Sequence, residues 1–76
     1  MTRVELDCRG LPCPRPIIEL ARAITSAEIG AVLAVASDDP AAANDVAAFC
    51  RMRSQEYVGV ENSADGVPVY LVRRLN

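Results

Sequence analysis

Residues 30–53 read GAVLAVASDDPAAANDVAAFCRMR. The run GAVLAVAS is almost continuously apolar after a glycine. It does not alternate, so it reads as a central strand shielded by helices on at least one side. It ends at Asp38-Asp39-Pro40. Asp39 suits a helix N-cap and Pro40 suits the first helical position, where the missing N–H costs nothing. In the following segment Ala42, Val46, Phe49 and Cys50 share one helical face, and Arg51 and Arg53 fall in the last turn, where cations complement the helix dipole. A buried strand that runs into an amphipathic helix is the repeating unit of an α/β fold.

Reading upstream, RVELD alternates Val4 and Leu6 against Arg3, Glu5 and Asp7, the pattern of a half-buried strand. Continuing that alternation turns Cys8 inward. A turn at Gly10 leads into PRPIIELARAITSAE, where Ile17, Leu20, Ala21 and Ile24 recur at helical spacing and Ile18 widens the stripe. Downstream, EYVGVENS and VPVYLVRR flank Ala64-Asp65-Gly66, and the Asp-Gly pair signals a hairpin. The order is strand, helix, strand, helix, strand, strand. Two right-handed crossovers that progress in one direction put both helices on the same side. The expected architecture is an α/β (α+β) two-layer βαβαββ sandwich: a four-stranded mixed sheet with two helices on one face. The other face is left bare, with Tyr57 or Tyr70 as candidate apolar groups on it. At 76 residues the chain is expected to form one domain, 1–76, with a real core but no deep cavity.

Composition narrows the chemistry. Apolar residues make up 51% and charged residues 24%, the balance of a globular protein. No apolar run approaches the roughly 20 residues of a membrane span, and MTRVELD lacks the apolar centre of a signal peptide, so a cytoplasmic protein with no membrane role is expected. Three cysteines are an odd number, which reads as reduced thiols rather than a disulfide framework. With no histidine, four zinc ligands are hard to assemble, and no metal or cofactor is expected. The absence of histidine also removes Ser-His and Cys-His catalysis, and the absence of lysine removes Schiff-base chemistry. A net charge of −2 with few aromatic residues lacks the footprint of direct nucleic-acid binding. Cysteine, carboxylate and arginine remain.

They meet in LDCRGLPCPRP, residues 6–16. Pro14 and Pro16 both suit the first turn of a helix, which makes Cys13 the N-cap or its immediate neighbour. A thiol there faces the positive end of the helix dipole, so its pKa is expected to fall, with Arg15 and Arg9 adding positive charge around it. The prolines stiffen the backbone under the sulfur. Without a histidine such a thiol is poorly equipped for hydrolysis. Thiol–sulfur exchange, in contrast, needs only a thiolate, a sulfur electrophile and access. Cys8 reads as the buried end of the first strand and Cys50 as core.

The stretch LDCRGLPCPRP, the apolar strand, SDDPAAANDVAAFC and the closing hairpin that ends in YLVRR together resemble the TusA/SirA-like family of sulfur carrier proteins over essentially the whole chain. The carrying motif is CPxP at Cys13-Pro14-Arg15-Pro16. The resemblance implies a βαβαββ sandwich and a sulfurtransferase that relays persulfide sulfur. Only Cys13 takes the family's role, as the persulfide acceptor; from their places around the turn and helix start, Arg9, Gly10, Pro14, Arg15 and Pro16 are expected to support it. It further implies a cysteine desulfurase or rhodanese-type donor and a downstream sulfur-accepting protein, in tRNA thiolation, sulfur oxidation or molybdenum-cofactor maturation. A monomer that docks transiently is expected. Two other readings stand beside it: a dithiol redox or regulatory protein using Cys8 and Cys13, and a non-catalytic interaction module.

Overall fold

The computed structural model describes residues 2–76. Its elements are β1 (Arg3–Asp7), α1 (Arg15–Ser26), β2 (Val32–Ala36), α2 (Ala42–Arg53), β3 (Glu56–Asn62) and β4 (Pro68–Arg73). β1 and β2 pair in parallel, with Leu6 opposite Val35. β4 runs antiparallel to both β2 and β3, which gives the sheet order β1-β2-β4-β3. A parallel pair needs a crossover, and α1 supplies it between β1 and β2. Since β4 opposes both neighbours, β2 and β3 point the same way. α2 is therefore the second crossover, and β4 fills the slot it skips. The hairpin between β3 and β4 turns at Ser63–Gly66, where the Gly66 N–H donates to the Ser63 carbonyl at 3.0 Å.

The core lies between the sheet and one helical layer. Leu33 and Val35 of β2 and Tyr70 and Val72 of β4 meet Leu20 and Ile24 of α1 and Val46, Phe49 and Cys50 of α2. This is the mixed sheet with both helices on one face that the order of elements implied. Full burial of each such aliphatic side chain contributes about 1.5–3 kcal/mol. β2 is central, so it is buried along Leu33–Ala36, as its unbroken apolar pattern requires.

Ile18 does not widen the buried stripe of α1; it is exposed. Pro16, Leu20 and Ile24 form that stripe, and at 3.6 residues per turn Ile18 points roughly 160° away from its middle. Tyr70 is not on the bare sheet face either. Its position in β4 puts it with Val72 on the helical side, where it is buried. Tyr57, opposite Val72 in the ladder, lies on that side too, but on an edge strand that leaves it partly exposed.

The helix-free face carries a small apolar strip of Ala34, Ala36 and Val69, flanked by Val67 and Leu71. β1 and β3 are opposite edges of the sheet, yet Arg3 reaches Glu61 at 2.7 Å. The alanines of β2 leave room for that guanidinium to lie across the strip.

Candidate functional site

The segment joining β1 to α1 is held through its backbone N–H groups as well as by the side chain of Arg9. The Cys8 N–H donates to the Ala36 carbonyl at 2.8 Å, which extends the ladder one residue past β1 and keeps the Cys8 side chain in the core. The chain then turns at Gly10, whose φ of 77° is the left-handed conformation glycine adopts without strain. The Gly10 N–H donates to the Asp38 carboxylate, at 3.1 and 3.3 Å to its two oxygens. The Cys13 N–H donates to Asp39 Oδ2 at 2.7 Å. Asp39 Oδ1 in turn accepts from the Ala41 N–H at 2.8 Å.

Asp39 is not the N-cap of α2, and Pro40 is not its first residue. Regular helix in α2 begins at Ala42, with Ala41 in the cap position and Pro40 in the turn before it. Asp39 still satisfies an orphan N–H of that end, while its second oxygen holds the backbone of Cys13.

The Cys13-Pro14 peptide bond is cis. Pro14 occupies the cap of α1, Arg15 is its first residue, and the Pro16 ring is buried. Cys13 stands immediately outside the cap and is exposed; Cys8 and Cys50 are buried, at 1% and 3% exposure, and all three are free thiols.

The surroundings of the sulfur reverse one expectation. Cys13 Sγ–H donates to Asp45 Oδ2 at 3.2 Å. That hydrogen bond, then partial desolvation, then the charges of Asp45 and Asp39 push the thiol above its ordinary pKa rather than below it. The partial charge of a helix terminus falls off within one turn, and here a full carboxylate charge sits in contact with the sulfur. The two arginines do not frame the thiol. Arg9 is carried to the hairpin, where it pairs with Asp65 at 2.9 Å, with Asp7 at 2.9 Å and with the Ser63 hydroxyl at 3.1 Å. Arg15 pairs with Glu19, one turn along α1, at 3.5 Å.

Beside the sulfur, a groove of about 330 Å³ opens between the start of α1 and the outer face of α2. Pro14 and Ile17 line one wall; Phe49 and the 82% exposed Met52 line the other. Asp45 borders it near the sulfur, and the Arg53 guanidinium lies 5.5 Å from the centre of the Phe49 ring. Neither Asp45 nor the groove was anticipated from sequence. The available signal was the place of Asp45 on α2: it is three residues after Ala42 and four before Phe49, so it is a charge on the margin of the buried stripe. Chemically, the site presents one accessible thiol next to an apolar groove.

Residues 4–74 match the model of the TusA family, described as "Sulfurtransferase TusA". A protein of Archaeoglobus fulgidus named "Putative sulfur carrier protein" is 35% identical over 69 residues, which cover 91% of this chain and 90% of that protein.

Proposed function

Because the chain belongs to the TusA sulfurtransferase family, we propose that its role in sulfur transfer is exercised by Cys13, which carries sulfane sulfur as a persulfide. In this reading residues 1–76 act as one carrier domain in the cytoplasm. A cysteine desulfurase or rhodanese-type protein is the donor, and another protein thiol or persulfide carrier is the recipient. Pro14, Arg15 and Pro16 shape the helix start under the sulfur, and Gly10 turns the chain toward it. Arg9 acts at a distance, by tying the turn after β1 to the hairpin. Among the described residues no helix is long and apolar enough to cross a membrane.

The observation that supports this most is the unequal exposure of the three thiols. Cys13 alone is accessible, at the mouth of an apolar groove, while Cys8 and Cys50 are enclosed in the core. Exchange at sulfur requires access above all. The buried Cys8 weighs against a dithiol couple.

Incubation with a cysteine desulfurase, cysteine and pyridoxal phosphate should add one sulfur atom at Cys13, read by mass spectrometry before and after stripping with dithiothreitol. A rhodanese-type donor charged with sulfur is run in parallel. Cys13→Ser should abolish loading while the protein stays folded; Cys8→Ala and Cys50→Ala should still load. Stable sulfur on Cys8 or Cys50 with Cys13 unmodified would sink the assignment. Equal damage from Cys8→Ala and Cys13→Ser would turn it toward a dithiol protein.

A further inference from the structure

Sulfur exchange at Cys13 has a proton to account for. The thiol must lose its proton when Sγ attacks, and Sγ must regain one when it leaves. The chain has neither histidine nor lysine to manage this. We propose that the Asp45 carboxylate is the proton acceptor and donor for Cys13, taking the thiol proton as Sγ attacks and returning a proton as Sγ departs. This rests on the carrier reading above.

The geometry selects Asp45 from the charged groups around the sulfur. Asp45 Oδ2 already accepts the Sγ–H at 3.2 Å. Asp45 is half-buried in the first turn of α2, on a regular helix that fixes its position. Asp39 is the other carboxylate at the site, but both its oxygens are committed, one to the Ala41 N–H and one to the Cys13 N–H. Asp38 is held by the Gly10 N–H. On α1, Arg15 and Glu19 are paired with each other; on α2, Arg53 lies against Phe49. Among the described residues, Asp45 is the titratable side chain in hydrogen-bond contact with the reacting atom.

The exchange balances through this one carboxylate. In loading, Cys13-SH meets a donor persulfide, donor-S-SH. The thiol proton passes to Asp45, the freed Sγ lone pair forms a bond to the outer donor sulfur, and the donor S–S bond breaks. Its electron pair goes to the inner donor sulfur, which takes the proton back from Asp45. The products are Cys13-S-SH and donor-SH, with no external oxidant or reductant. In unloading, Asp45 accepts the proton of the acceptor thiol, which attacks the outer sulfur. Cys13 Sγ leaves with the bonding pair and is protonated by Asp45. One negative charge is passed along in each direction, and two are never held in contact.

The same carboxylate disfavours a free thiolate in the resting protein, because thiolate and carboxylate would then repel at contact distance. Asp45 thus opposes a reaction whose leaving group needs no proton, as iodide does, while assisting the exchange, whose leaving sulfur takes one, and this difference supplies the test. In Asp45→Asn, alkylation of Cys13 by iodoacetamide at neutral pH should be about two- to tenfold faster, because the thiol is more acidic without the neighbouring charge. Single-turnover loading, from a charged cysteine desulfurase and from glutathione persulfide, should be about 100-fold slower, the scale of a lost positioned proton transfer. Asp45→Glu should recover much of the loading. Wild-type loading in D2O should be slowed by about twofold, since a proton is in flight at the transition state; this measurement stands even if Asp45→Asn does not fold. Loading by Asp45→Asn at or above the wild-type rate, or no isotope effect in the wild type, overturns the proposal and leaves the carrier reading intact. Failure of the wild type to load from either donor overturns the carrier reading and this proposal with it.

Discussion

Cys13, Cys8 and Cys50 are chemically identical side chains that the fold separates into one exposed and two buried thiols. Burial raises the pKa of Cys8 and of Cys50, and enclosure denies them a collision partner. Cys13 is raised for a different reason, its hydrogen bond to Asp45. Iodoacetamide should therefore label Cys13 first among the three. Because its folded-state pKa lies above the ordinary thiol value, the rate should still be climbing past pH ~8.5, where a free cysteine is half ionised. Peptide mapping of the alkylated protein across a pH series measures both. A half-maximal rate at or below the free-thiol value would show that the helix terminus, rather than Asp45, controls the sulfur. The inward orientation of Cys8 and Cys50 was legible from strand alternation and helix spacing. The acidity of Cys13 was not, because the group that sets it arrives from another helix.

At the level of elements, α1 and α2 are coupled through one aspartate. Asp39 binds the first free N–H at the approach to α2 and the backbone N–H of Cys13, just ahead of α1. Replacing it by alanine removes the hydrogen bond to the Ala41 N–H, worth about 0.5–1.5 kcal/mol, and frees the backbone ahead of α1. In a domain of this size each lost kcal/mol lowers the melting temperature by about 4–8 °C. Asp39→Ala should thus melt several degrees lower while remaining folded at 25 °C, and its sulfur loading should fall beyond what the folded fraction explains. Calorimetry and a single-turnover assay read the two effects separately. Loading at the wild-type rate in the destabilised protein would show that the Cys13 backbone needs no such anchor. The half at the approach to α2 is local, and the DDP segment signalled a turn there, although the cap itself falls at Ala41. The Cys13 half joins residues 26 positions apart, beyond the reach of any capping rule.

The whole molecule is small enough that its central strand decides whether it folds. A domain of 76 residues is stabilised by about 4–11 kcal/mol in total. Leu33 in β2 is fully buried in the core on the helical side of the sheet, so Leu33→Ala should cost about 2–5 kcal/mol. Urea unfolding should show a large fall in midpoint with little change in slope. The exposed ion pairs of the opposite face are a contrast: Arg3→Ala removes the Glu61 pair but should leave the urea midpoint nearly unchanged, because solvent screens an exposed pair. If both variants unfold at the same urea concentration, the core does not lie where β2 meets the helices. The small side chains and crossing charges of the helix-free face leave little continuous apolar surface there, whereas the groove beside Cys13 keeps Met52 exposed. Docking is accordingly expected on the helical side, at the sulfur.

What the sequence alone determined rests on a period or a near neighbour: the alternation of Val4 and Leu6, the unbroken run of β2, the helical stripe through Val46 and Phe49, the prolines at the start of α1, and the hairpin after Asn62. These patterns operate over one or two turns of chain, so they set element type, order and inward face. They also marked Cys13 as the thiol at a helix start. Which charges meet was decided only in three dimensions. Arg9 lies 56 residues from Asp65, and Cys13 lies 32 residues from Asp45. Those pairs depend on how the strands are ordered in the sheet and how each helix is rotated upon it. A single crossover that places α2 beside the start of α1 brings a carboxylate to the sulfur, and with it the sign of the local field.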